Sequence, residues 1–283
     1  MTSLLRYGIL TDEIDEDMAK ALPLVKKLGL GYVGLRRLWG ENVVDLLPEQ
    51  EGALRALLAQ YALSVSHVAS PVFKCALDPK RPPQTSGDRF GSVEAPLSAH
   101  VEWLKRCLAL AQRFNASGVR IFSFWREDDP TRHFEAIVEH LQEAGRIAQD
   151  YGIFLLLENE PSCNAGSIEE VAELVSAVNL ASVGVLWDPG NDCYAGLPVR
   201  PQQADHLVGR CAHVHLKDVR TDPEGRRTIV PLGQGDVPWA AILQALKSSG
   251  YQGHFSLEPH LSQNIEGVEK SVGGLQTLLS GGK

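Results

Sequence analysis

Residues 153–160 read IFLLLENE, 183–191 read VGVLWDPGN, 212–218 read AHVHLKD and 254–260 read HFSLEPH. Each is a short apolar run that stops at an ionisable residue, and that recurrence decides the fold. Short runs of Val, Ile, Leu and Phe without polar alternation are what strands buried on both faces of a parallel sheet require. Working back toward the N-terminus, the same signal marks Tyr7–Leu10, Tyr32–Leu35, Leu63–Val68 and Val119–Phe124. With Ile153–Leu157, Val183–Trp187, Cys211–Leu216 and His254–Leu257 these make eight candidate strands.

The stretches between them carry helical periodicity. Asp17–Leu28 places Met18, Leu22, Leu24 and Val25 roughly on one face, and Ser98–Phe114 spaces Val101, Leu104, Leu108 and Ala111 by three and four. Lys26 and Lys27 before Gly29, then Gly152 and Gly250, are helix-stop signals. Ser167 followed by Glu170 is a capping-box signature ahead of VAELVSAV. Eight strand–helix alternations without a second composition regime predict an α/β chain, a single (β/α)8 TIM barrel over residues 1–283. A doubly wound open sheet is the alternative, but no G-x-G-x-x-G follows the first strand. The longest irregular stretch, Ser70–Leu97, follows strand three and is expected to act as a lid.

Composition narrows the class of function. A hydrophobic share of 44% and a charged share of 22% are ordinary for a globular chain. A net charge of −8 argues against nucleic acid as a partner, because phosphate backbones need a basic face. Cys75, Cys107, Cys163, Cys193 and Cys211 show no C-x-x-C spacing and read as reduced thiols of a cytoplasmic protein. MTSLLRYGILTDEID lacks a leader-like apolar region, and no run of about 18 apolar residues occurs, so no membrane partner is expected.

Barrel enzymes carry their functional groups where strands end, at the C-terminal rim. There the apolar runs deliver Glu158, Asp188, His213 with His215, and Glu258 from four consecutive strands. Three carboxylates brought together without a cation would repel and lose hydration at a cost of several kcal/mol. A divalent metal removes that cost. Three oxygens and one imidazole suit Mn²⁺ best, with Mg²⁺ or Co²⁺ close behind and Zn²⁺ allowed. Glu160, His213 and His260 lie two residues from Glu158, His215 and Glu258 and so face the same side. Glu158 and Glu258 are preferred because they follow the apolar run directly. His215 is nearer the rim, and His213 is expected to be a core histidine.

LLLENEP, VLWDPGN, AHVHLKD, PLGQGDVPW and FSLEP resemble the xylose isomerase-like sugar phosphate isomerase/epimerase superfamily. The resemblance runs from strand one to strand eight, with its specific motifs between Gly152 and His260. It assigns the metal to Glu158, Asp188, His215 and Glu258, the same four residues. It implies a hydroxy-carbonyl substrate, a metal-stabilised enediolate, and Glu158 and Glu258 as acid and base. His67, Trp125, Glu160, Asn191 and Lys217 are the substrate-binding candidates it suggests, with Trp39 and Trp187 as further pocket walls. Three departures stand out. Asn191 replaces a substrate-contacting His, Thr221 replaces an Arg (with Arg220 adjacent), and Gly233-Gln234-Gly235 replaces G-E-G.

These residues support a metal-dependent isomerase or epimerase of a small, sugar-like molecule. A lyase on the same scaffold, such as an inosose or 3-dehydroshikimate dehydratase, would use the same ligands. An endonuclease IV-like enzyme needs extra zinc histidines that RIFSFWR and GRRTIVPLG do not offer. A metal-free binding barrel is opposed by the intact ligand set. Barrels of this resemblance often form homo-oligomers, but no stripe in the sequence marks an interface.

Overall fold

The apolar runs pair side by side in parallel and close on themselves. A computed structural model describes residues 6–78, 80, 87–207, 209–261 and 265–281. The barrel strands are β1 Tyr7–Leu10, β2 Tyr32–Leu35, β3 Ser64–Val68 and β4 Gly118–Ile121. They continue as β5 Phe154–Glu158, β6 Val183–Trp187, β7 Cys211–Leu216 and β8 His254–Leu257. Each pairs with its neighbours in sequence, and β8 returns to β1 to close the barrel. Two short antiparallel ribbons, Arg37–Leu38 with Glu41–Asn42 and Asp218–Thr221 with Arg227–Val230, stand outside it.

Helices surround the sheet: α1 Met18–Lys27, α2 Pro48–Tyr61, α3 Leu97–Arg113, α4 Phe134–Tyr151 and α5 Ile168–Val178. α6 Pro189–Ala195, α7 Gln203–Leu207, α8 Trp239–Ser248 and α9 Ile265–Leu279 complete them. The stop signals work as expected: Gly152 adopts a left-handed φ of 67° at the end of α4. Ser167 and Glu170 form the full capping box of α5. Ile9, Val33, Val65, Val119, Leu155, Val185, Val214 and Leu257 all belong to one buried core. Burying each such side chain contributes roughly 1.5–3 kcal/mol. No helix among the described residues is long and apolar enough to cross a membrane.

Strand four departs from expectation. It starts at Gly118 and ends at Ile121 instead of running to Phe124. Phe122 turns its N–H to the Val72 carbonyl at 3.0 Å, and Phe124 takes a left-handed φ of 64°. Two register shifts bend the barrel. The β2–β3 ladder passes from Val33↔Val65 to Gly34↔His67, skipping Ser66. The β6–β7 ladder passes from Val185↔Cys211 to Leu186↔His213, skipping Ala212. Such bulges concentrate near active sites because they re-aim side chains. In the expected lid, residues 79 and 81–86 lie outside the described residues; in the segment from Gly87 to Pro96, Phe90 lies against Arg36 and Arg120.

Candidate metal centre at the barrel rim

The last residues of four consecutive strands converge. Glu158 is the final residue of β5, His215 lies one residue before the end of β7, and Glu258 follows β8, its N–H still on the Leu216 carbonyl at 3.1 Å. Asp188 follows β6 and caps α6, its Oδ1 accepting from Asn191 N–H at 3.0 Å. All four are buried, and one donor atom from each lies within 4.8 Å of every other. The His215 Nδ1 stands 3.1 Å from Glu158 Oε1 and 2.9 Å from Glu258 Oε2.

Four buried cations balance the acids. Arg36 Nε, Nη2 and Nη1 donate to Asp12, Glu13 and Glu258, each at 2.7 Å. Arg120 projects inward from β4, and its Nη1 bridges Glu158 Oε2 at 3.2 Å and Glu258 Oε1 at 3.5 Å. Lys217 Nζ donates to Asp188 Oδ2 at 2.7 Å and to Asn191 Oδ1 at 2.8 Å. Lys74 Nζ donates to Glu160 Oε2 at 2.9 Å. His260, passed over in sequence, reaches both Glu13 and Glu258, Nδ1 to the first at 3.3 Å and Nε2 to the second at 3.6 Å.

The field inside this cluster is strong. Burial opposes charge on Glu258, yet His215, Lys217 and His260 outweigh it and hold its carboxyl well below the usual range. Burial disfavours a charged His215 as well, but Glu258 and Glu158 push its pKa up to about 9. The direction of that shift points to a negative potential at the ring, which positive charge would relieve. Burial also opposes charge on Lys217, but Asp188, Glu258 and Glu158 hold its pKa above the usual lysine value. Three oxygens and one nitrogen, convergent and buried, are a donor set that fits one divalent ion.

The substrate-binding candidates sort by distance from this centre. Lys217 and Asn191 touch it, and Asn191 is held by its own Nδ2 donating to the Asn159 carbonyl at 2.8 Å. His67 lies beneath it, Nε2 facing His215 Nε2 at 3.3 Å. His213 is fully buried and one layer deeper, its Nε2 at 2.9 Å from Ser256 Oγ. Glu160 is engaged by Lys74, whose ammonium stands over the rings of Phe90, Phe122 and Trp125 at 4.5, 4.4 and 5.8 Å. Trp187 packs in the main core, and Trp39 packs against it. Thr221 and Arg220 are exposed on the outer ribbon. Asp218 accepts from Gly233 N–H at 2.8 Å and Gly235 N–H at 3.0 Å, which shapes the G-Q-G turn.

Phe90 packs against three of these cations. Its ring lies 4.8 Å from Arg36 and 4.7 Å from Arg120, and Asn42 donates to its carbonyl at 2.9 Å. Sequence reading missed Arg36, Lys74, Arg120 and Phe90. The one available signal was an arginine inside the apolar run GVRI, a charge that a strand buried on both faces must pair.

Residues 22–278 match the xylose isomerase-like TIM barrel family. An inosose dehydratase of Mesomycoplasma hyopneumoniae is 24% identical over 169 residues, covering 53% of this chain and 56% of that protein. The chain spans about half the length of the curated relatives it matches. A xylose isomerase-like TIM barrel protein from Mycobacterium smegmatis, in complex with magnesium, superposes with a TM-score of 0.74 at 19% identity. That match covers 99% of this chain and 97% of the other. The apo form of 3-keto-D-glucoside 4-epimerase from E. coli superposes with a TM-score of 0.73 at 13% identity, covering 98% and 99%. At these identities the structural likenesses establish the fold alone.

Proposed function

Since the chain belongs to the xylose isomerase-like TIM barrel family, we propose that it is a divalent-metal-dependent isomerase or epimerase of a small sugar or other hydroxy-carbonyl compound. The observation that carries this reading is the convergence of Glu158, Asp188, His215 and Glu258 within 4.8 Å at the rim. These four would hold the ion, Mn²⁺ by preference, which would supply Lewis acidity toward a substrate carbonyl.

The chain's own residues do the rest. Glu158 and Glu258 would flank the reacting carbon, one carboxylate taking its proton while the other returns one. Arg120, in contact with both, orients them and limits their repulsion. Lys217 would turn an ammonium N–H to a substrate oxygen while Asp188 and Asn191 hold it in place. Phe90 and Trp125 would exclude water from the site. The partner is a small molecule, and we take the protein as cytoplasmic.

Glu158→Gln and Glu258→Gln test this. Each is expected to lower kcat about 10²- to 10⁴-fold, the usual worth of general acid–base catalysis. Proton exchange into substrate in D₂O with Mn²⁺ is the assay, and exchange surviving in both variants would refute the roles. The relatives named inosose dehydratase favour a second reading, a lyase in which the same proton removal expels a β-hydroxyl. Release of water with formation of an unsaturated product distinguishes it from an epimer that keeps every hydroxyl.

A further inference from the structure

We infer that Ser66 and His67 form a hydrogen-bonded relay that sets the tautomer and ring orientation of His215, which makes both of them positioning residues of the metal centre. This assigns His67 a different task from contacting substrate, and it rests on the metal reading above.

The relay begins at the β3 bulge. On a regular strand, consecutive side chains point to opposite faces. Because the ladder skips Ser66, its hydroxyl and the His67 ring meet instead, Oγ to Nδ1 at 3.0 Å. The Ser66 hydroxyl donates to the Val33 carbonyl at 3.2 Å. A hydroxyl has a single hydrogen, so Ser66 Oγ is left to accept from His67 Nδ1–H. His67 Nε2 therefore carries a lone pair and accepts from His215 Nε2–H across 3.3 Å. With Nε2 bound in this way, Nδ1 is the His215 nitrogen left for the metal. It is also the nitrogen that faces Glu158 at 3.1 Å and Glu258 at 2.9 Å.

The space for this arrangement is built in. Gly34 faces His67 in the ladder, and a Cβ there would fall 2.5 Å from His67 Cε1 and 3.1 Å from its Nδ1. Ser66, His67 and His215 are all fully buried, so water does not compete for these bonds. The ring of His213 supports His67 from the side, with centroids 4.1 Å apart. A ligating histidine needs such a partner on its other nitrogen, and losing it typically costs 10- to 100-fold in metal affinity (an order-of-magnitude range).

The test pairs NMR with calorimetry. Two-bond ¹⁵N–¹H correlation on histidine-labelled, metal-free protein is expected to show neutral His67 protonated at Nδ1, the less common tautomer in water. Mn²⁺ titration of His67→Phe, which keeps a ring but no acceptor, is expected to show about tenfold or greater loss of affinity. His67→Gln, which restores an acceptor oxygen, recovers most of it. Gly34→Ala, which crowds the ring, shifts affinity in the same direction as His67→Phe. A proton on His67 Nε2, or wild-type Mn²⁺ affinity in His67→Phe, overturns the relay. Should His67→Phe fail to fold, Ser66→Ala with the same NMR readout decides. Should the wild-type protein bind no Mn²⁺, the metal reading falls, while the His67 tautomer still decides the relay.

Discussion

Replacing Arg120 with Met is expected to destabilise the metal-free protein by about 3–5 kcal/mol, the usual cost of removing one partner from a buried ionic network. Arg120 is fully buried, and its Nη1 lies 3.2 Å from Glu158 and 3.5 Å from Glu258. Its Nη2 and Nε also donate to the Ala69 and Ser70 carbonyls at 3.1 and 3.3 Å. Those two bonds account for about 1 kcal/mol each, and the remainder is electrostatic. Met is similar in length and flexible enough to pack between Phe90 and Phe122, so little of the loss comes from a cavity. The electrostatic part has a signature. A divalent ion delivers positive charge to the same carboxylates, so Mn²⁺ binds the variant more tightly than the wild type. Urea unfolding with EDTA should show the full loss. With saturating Mn²⁺ the loss should shrink by at least about 1.4 kcal/mol, a tenfold gain in relative affinity. An equal loss in both conditions would mean that Arg120 serves only packing and carbonyl capping, and the charge-balance argument would fail.

Three further outcomes are expected. The folded pKa of His215, raised from 6.5 to about 9, stabilises the metal-free protein fully below pH 6.5, and that contribution fades as pH rises through 9. The stability gap between wild type and His215→Gln in EDTA should therefore narrow across that window, and a widening gap would reverse the assignment. Asp192 loses stability in the same direction for a different reason: burial pushes its carboxyl from 3.8 up to about 7, so ionising it costs stability as pH rises across that interval. Asp192→Asn should remove this slope and exceed the wild type above neutral pH by urea midpoint; a parallel pH profile would contradict it. Phe90→Ala removes a ring in contact with Arg36, Lys74 and Arg120, each contact worth about 0.5–2 kcal/mol. Limited proteolysis should then cut faster between Gly87 and Pro96, and unchanged cleavage would show that the bonds from Asn42 and Lys74 to the Phe90 and Asp88 carbonyls hold the segment without the ring.

What could be read in advance was what one strand reveals by itself. Glu158, Asp188 and Glu258 end apolar runs, and the end of a run is a local signal that survives without any knowledge of neighbours. His215 could be separated from His213 because two residues along a strand is one layer of a barrel. Arg120 and Ser66 belong to a different kind of fact. Whether Arg120 breaks its run or points into the barrel depends on closure, which a single strand does not encode. The bulge at Ser66 is a property of the β2–β3 pair, and its meaning for His67 depends on Gly34 opposite. Lys74 and Phe90 come from the long segment after β3, where no period constrains direction.

The missed arginines, Arg36 and Arg120, share a physical role, which is why they escaped a search for ligands. A rim of three buried carboxylates is costly unless something balances it before any ion arrives. Arg36, Arg120 and Lys217 do that here, each paired to the acids at 2.7–3.5 Å. A search for donor atoms finds the acids and leaves Arg36 and Arg120 out, although buried carboxylates without a cationic partner are costly. On this argument the barrel folds with its centre preformed. On the proposed reading, an arriving Mn²⁺ would compete with these cations for the same oxygens, so its affinity is expected to depend on Arg36, Arg120 and Lys217 as well as on the four proposed ligands.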